Sequence, residues 1–182
     1  MQSTMPSSTH FIKNYFAGGA NTSKLGKNFE SLTNVKNIDL KLDEVNIKIF
    51  NNKDNFSKYI KETNDRIIFR IPDEAYIIPP QSEGKKPKLK ILEKKHQNVS
   101  GSVETKLWAG PSLKREWEIM LGDIYDIEYG FCISKWLQIQ FTSGKRKYTI
   151  LKNILEENKI VVLFGEDQDY FVQLKSWLME EE

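Results

Sequence analysis

The feature that most limits what this chain can fold into is the run Ile160 to Phe164, apolar throughout, followed after Gly165 by an amphipathic helix pattern. A short, β-branched, continuously apolar run reads as a strand covered on both faces or closing a barrel. Glu166, Asp167 and Asp169 then put negative charge where a helix N-terminus has unpaired N–H groups. Tyr170, Phe171, Leu174, Trp177 and Leu178 recur at helical spacing as one apolar stripe. Burying such side chains is worth on the order of 1.5–3 kcal/mol each before entropy, so this helix is expected to pack on strands. Just upstream, Leu137, Ile139 and Phe141 alternate with Gln138 and Gln140, the period of a half-buried strand. Gly144 supplies a turn, and Tyr148 and Ile150 read as the returning strand.

Charge and composition narrow the function classes. Lys and Arg total 27 against 25 Asp and Glu, a net charge of +2, so any basic site has to be local and nucleic acid is disfavoured as a partner. The single cysteine, Cys132, excludes an internal disulfide framework and suits a reducing compartment. No apolar segment has the length of a membrane span, and residues 1–20 lack a signal-peptide core. A cytoplasmic protein is expected, with peripheral attachment to a membrane as the alternative.

Residues 1–34, rich in Ser, Thr, Asn and Gly, read as a flexible arm, with Phe11, Ile12, Tyr15 and Phe16 as a docking segment or linear motif. Residues 35–80 read as a strand and short-helix extension. It holds a hairpin over Val35 to Phe50, a helix from Asp54 to Asn64, a strand-like run from Arg66 to Ile71, a turn at Pro72-Asp73, and an apolar run from Ala75 to Ile78. After a polar linker, seven strands are expected: Lys88 to Glu93, Gly101 to Trp108, Arg115 to Leu121, Tyr125 to Tyr129, and the three in the C-terminal third. With no crossover helices between them, an antiparallel barrel is favoured.

Seven short strands and a Trp-bearing C-terminal helix resemble the pleckstrin-homology-like superfold and its GRAM-type relatives. The resemblance rests on Gly101 to Trp108, the loop Ala109 to Lys114, the strand holding Trp117, Leu137 to Phe141, and Phe164 to Trp177. Covering about residues 87–179, it implies a mainly β (α+β) fold with a domain over 87–182, a seven-stranded antiparallel barrel capped by that helix, with residues 35–80 packed on it. It also implies a non-catalytic binding module, either a protein-interaction adaptor or a peripheral module for phosphoinositide or another anionic lipid. By that resemblance Lys106, Lys114 and Arg115 would hold an acidic ligand, and the loop bases Lys145, Arg146 and Lys147 would complete the rim.

Catalytic signals are weak at this level. His10 and His96 lack a neighbouring Cys or carboxylate constellation, Cys132 lacks metal partners, and Asp123, Asp126 and Glu128 read as a wet strand face. No phosphate-cradling Gly-rich loop or nucleophile elbow occurs. No enzyme, cofactor or metal is therefore expected.

Overall fold

The computed structural model describes residues 18–35, 46–51, 53–80, 82–99 and 101–179. In chain order it contains α1 (Gly18–Leu32), β1 (Lys48–Phe50), α2 (Lys53–Asn64), β2 (Glu74–Ile78), β3 (Lys88–Lys95), α3 (Val103–Trp108), α4 (Gly110–Leu121), β4 (Asp126–Ile133), α5 (Lys135–Phe141), α6 (Arg146–Glu157), β5 (Ile160–Phe164) and α7 (Tyr170–Met179). The strands form one open sheet in the order β1-β2-β3-β4-β5. β1, β2 and β3 pair antiparallel, whereas β3, β4 and β5 pair parallel.

The antiparallel barrel expected from the sequence is therefore corrected to an open, mixed five-stranded sheet with seven helices among the described residues. Four stretches expected as strands lie in helices: 101–108 overlaps α3, 115–121 lies in α4, 137–141 in α5 and 148–150 in α6. The reason is visible in α4. Trp117, Ile119 and Leu121 alternate, yet only Trp117 and Leu121 are buried while Ile119 is 70% exposed. The buried period is four residues, and Pro111 in the first helical turn suits a helix start. Likewise Leu137 is buried and Ile139 is 55% exposed. Once α3 to α6 are helical, they supply the crossovers that parallel pairing of β3, β4 and β5 requires.

Of the expected hairpin over 35–50, residues 36–45 lie outside the described residues, as do residues 1–17 with Phe11, Ile12, Tyr15 and Phe16. The expected helix after Asp54 is α2, and the apolar runs at 75–78, 88–93 and 160–164 are strands.

The sheet has a core on each face. On one, Ala75, Ile77, Leu89, Ile91, Tyr129, Phe131 and Ile133 meet the buried faces of α2 to α6, including Phe56, Ile60, Trp117 and Leu151. On the other, Tyr76, Ile78, Leu92, Cys132 and Leu163 meet Phe29 of α1 and Tyr170, Leu174, Trp177 and Leu178 of α7. The C-terminal stripe is buried as its spacing implies, but against a flat sheet face. Gly165 is where β5 leaves that face: a Cβ there would stand 2.6 Å from Cys132 Sγ and from the Phe29 ring, so only glycine fits.

β3 makes the two-sidedness explicit. Leu89 and Ile91 belong to the helix-rich face, whereas Leu92 faces α1 and α7. Lys90, fully buried on the latter face, donates to the Trp177 carbonyl at 2.5 Å and pairs with Glu128 at 2.7 Å. Two positions on, Lys94 pairs with buried Glu74 at 2.7 Å. By the two-residue period, Glu93 and Lys95 emerge on the helix-rich face, beyond Ile91.

Candidate active site

Glu93 and Lys95 stand at the carboxyl end of β3, the first of the parallel strands. Ligands of open α/β sheets bind outside such ends. Pro72 and Asp73 lead into β2, and continuing the β2–β3 register past Glu74 opposite Leu92 brings Asp73 opposite Glu93. The Asp73 carboxylate accepts the Lys94 backbone N–H at 2.7 Å, which fixes it at the strand end. Lys95 Nζ donates to Glu93 Oε2 at 2.6 Å and lies 3.4 Å from Asp73 Oδ2. One ammonium thus bridges two carboxylates, all three side chains being less than a fifth exposed.

Burial pushes the Glu93 carboxyl above its usual range, with Asp73 adding to the rise and Lys95 opposing it. Burial alone would lower the Lys95 pKa, but Glu93 and Asp73 outweigh it and hold the ammonium charged. Lys95 is thus a fixed cation rather than a general base. The site carries two carboxylates against one ammonium, a surplus of negative charge in partly dehydrated surroundings.

Tyr129 of β4 lies on the same sheet face, opposite Ile91. It is fully buried and its hydroxyl has no hydrogen-bond partner among the described residues. Burial drives its pKa far up, with Glu93 as the next cause, so it is a neutral donor beside the carboxylates. Leaving such a donor unpaired costs about 1–3 kcal/mol. Arg70, just upstream of Asp73, donates from Nε to Glu116 Oε2 of α4 at 2.5 Å and also feels the charge of Glu93. Beyond β3, Gln97 Oε1 accepts the Glu104 N–H at 2.8 Å and ties the strand end to α3.

Compared with known proteins, the chain matches no protein-family model, no curated protein and no solved structure. The functional reading accordingly rests on the site.

The six basic residues singled out by sequence do not meet on one rim. Lys114 of α4 donates to the Asn158 carbonyl at the C-terminal end of α6. Lys145, Arg146 and Lys147 lie at the other end of that helix, roughly 18 Å away for its 12 residues. Arg115 pairs with Glu118 on its own helix, Lys106 is in the last turn of α3, and Lys147 pairs with Glu104. Lys145 donates to Gln140 Oε1 at 3.2 Å.

The other weighed groups also fall elsewhere. His96 packs on Phe29, and the Cys132 thiol is buried in the opposite core, its pKa pushed up to about 12 by burial. Asp123 pairs with Arg66, and Glu128 with Lys88 and Lys90. Among the described residues no three His, Cys, Asp or Glu side chains form a metal-ligand group. A cavity of about 1370 Å³ includes β5, an edge strand among the described residues, in its walls and not Asp73, Glu93 or Lys95.

Among the described residues no helix is long and apolar enough to cross a membrane.

Proposed function

We propose that this chain is a divalent-cation-dependent phosphodiester hydrolase acting on nucleic acid, with Asp73, Glu93 and Lys95 as its catalytic residues. The observation that carries the reading is the convergence of two part-buried carboxylates on one ammonium at the carboxyl end of β3. Two carboxylates are too few to enclose a cation. They suit Mg²⁺ or Mn²⁺, which keeps several waters and takes further oxygens from the substrate phosphate. Bound there, the cation supplies Lewis acidity and lowers the pKa of a coordinated water.

Each side chain then has a task. Asp73, held by the Lys94 N–H, and Glu93 present oxygens to the cation from adjacent strands. Lys95 directs its ammonium at the phosphoryl oxygens, where negative charge grows as the reaction proceeds. The Tyr129 hydroxyl, a neutral donor beside the carboxylates, would offer one hydrogen bond to the site. In the reaction water oxygen bonds to phosphorus, one bridging P–O bond breaks, and a water proton ends on the departing oxygen. A phosphomonoester and a hydroxyl result, with no redox change.

The adaptor and lipid-rim expectations were drawn on a closed barrel, and the fold is an open sheet. The test is to incubate the purified chain with supercoiled plasmid, duplex and single-stranded DNA, and RNA, in Mg²⁺, Mn²⁺ or EDTA. Cleavage is expected with either cation and not in EDTA, falling roughly 10²–10³-fold in Asp73→Asn, Glu93→Gln and Lys95→Met. A wild type inert on every substrate, or variants as active as wild type, would overturn the reading.

A further inference from the structure

The stretch from Arg66 to Pro72 runs straight into Asp73, and its exposure alternates: Ile68 and Pro72 are buried while Ile67, Phe69 and Ile71 are exposed. Arg66 and Arg70 share the side of Ile68, four residues apart. The chain bends at Phe69, so the two lie nearer than the roughly 13 Å of a fully extended stretch. Each arginine is held by one carboxylate through one nitrogen. Arg66 Nη2 meets Asp123 Oδ2 at 2.5 Å, and Arg70 Nε meets Glu116 Oε2 at 2.5 Å. A guanidinium has five N–H donors in a planar fork, so most of each fork stays outside its carboxylate contact. Both side chains are more than a third exposed. Lys86 extends the row: its Nζ donates to the Gly122 carbonyl at 2.8 Å, next to Asp123.

We infer that Arg66 and Arg70 form a phosphate track that leads a nucleic-acid backbone to Asp73, Glu93 and Lys95, with Asp123 and Glu116 as positioning residues that aim the two forks. The inference takes its substrate from the hydrolase reading. It explains why two arginines with local carboxylate partners remain half open to solvent on the segment that ends at Asp73. Arginine suits the task because its fork matches two oxygens of one phosphate, whereas lysine offers a point charge.

The experiment is fluorescence anisotropy of a labelled duplex oligonucleotide and its single strand with the full chain in EDTA, over about fourfold in salt. Without a cation the probe stays uncut, so binding is read independently of hydrolysis. Each phosphate contact contributes about 0.9 to the slope of log affinity against log salt, roughly a 3.5-fold change across that interval. Arg66→Gln and Arg70→Gln are each expected to reduce the slope by about one, and the double variant by about two. Arg70→Lys keeps the slope and weakens binding, because the charge remains and the fork is lost. Glu116→Gln tightens binding, since an acceptor stays while a competing negative charge goes. Melting temperatures verify that each variant is folded.

An unchanged slope in the folded double variant, or no wild-type binding to either probe at low salt, overturns the track. Arginine-dependent binding without cleavage in Mg²⁺ or Mn²⁺ upholds the track and sinks the hydrolase reading. Cleavage with an arginine-independent slope does the reverse.

Discussion

Lys94→Met separates the two adjacent lysines of β3 by the faces they occupy. The Lys94 side chain is 2% exposed and its partner Glu74 1%, at 2.7 Å. Lys94 Nζ also donates to the Glu30 carbonyl at 3.3 Å, and the Tyr76 hydroxyl donates to the second Glu74 oxygen. Removing the ammonium leaves a carboxylate buried with one neutral donor. Breaking a buried pair in this way costs about 3–5 kcal/mol. For a domain of this size that lowers Tm by roughly 6–20 °C. Replacing both partners, as Lys94→Met with Glu74→Leu, removes the stranded charge. What remains is the Tyr76 hydroxyl without its acceptor, about 1–3 kcal/mol, far less than the sum of the single losses.

Urea unfolding read by tryptophan fluorescence gives these values, provided the m-value is unchanged. Lys94→Met should keep its cleavage rate per folded molecule, whereas Lys95→Met should stay folded and lose cleavage. A Lys94→Met loss below about 1 kcal/mol, or single losses that simply add in the double variant, would refute the assignment of Lys94 to the dry α1/α7 face.

Two further outcomes follow from the buried groups. Cys132, with its pKa pushed up to about 12, holds roughly 10⁻⁴ of its thiol as thiolate near pH 8, so disulfide reagents should label it only after denaturation; labelling of native protein at a free-thiol rate would contradict this. Glu93 has a pKa raised above the usual 4.5, so between that value and its own the folded state holds more protons than the unfolded chain. Its contribution favours the fold on the acid side and is lost as pH rises through that window. A divalent cation needs the ionised form, so the Tm increase caused by Mg²⁺ should be smallest on the acid side and grow as pH rises above the usual carboxylate range. At a hundredfold excess over Kd it approaches about 2.7 kcal/mol of stabilisation, and calorimetry showing a pH-independent increase would argue against Glu93 as a ligand.

The strongest patterns in the sequence were those whose burial did not depend on distant partners. Ile160 to Phe164 is a strand in any fold that covers it, and the stripe from Tyr170 to Leu178 is helical wherever it docks. The crossover helices were obscured because windows of five to seven residues fit two periods at once. Trp117, Ile119 and Leu121 alternate, and only the exposure of Ile119 decides for a helix. Losing those helices hid the parallel pairing, and with it the value of the carboxyl end of β3.

Asp73 read as a turn residue after Pro72, and Lys95 stands between Lys94 and His96 in a short run of bases that singles out none of them. The available signal was the spacing of Glu93 and Lys95, two charges on one face of a strand whose preceding residues on that face, Leu89 and Ile91, are apolar. Because Lys90 and Lys94 charge the other face as well, that spacing needed the β2 register and the partner Asp73 before it meant a site. No local pattern announces Tyr129, whose importance lies in an unpaired hydroxyl.

The antiparallel pairing of β2 with β3 has a further consequence for how this molecule can diversify. Asp73, Glu93 and Lys95 all belong to one hairpin and its entry, whereas Glu116 comes from the crossover that follows and Tyr129 from β4, the strand it leads to. The reacting groups and the walls around them are thus written in separate blocks of sequence. The connection between Ile78 and Lys88 lies at the opposite end of the hairpin from the carboxylates. Lengthening such a surface connection costs only about 0.6 kcal/mol for each doubling. Inherited variation can therefore accumulate there, beside Lys86 and the end of α4, while Asp73, Glu93 and Lys95 stay in place.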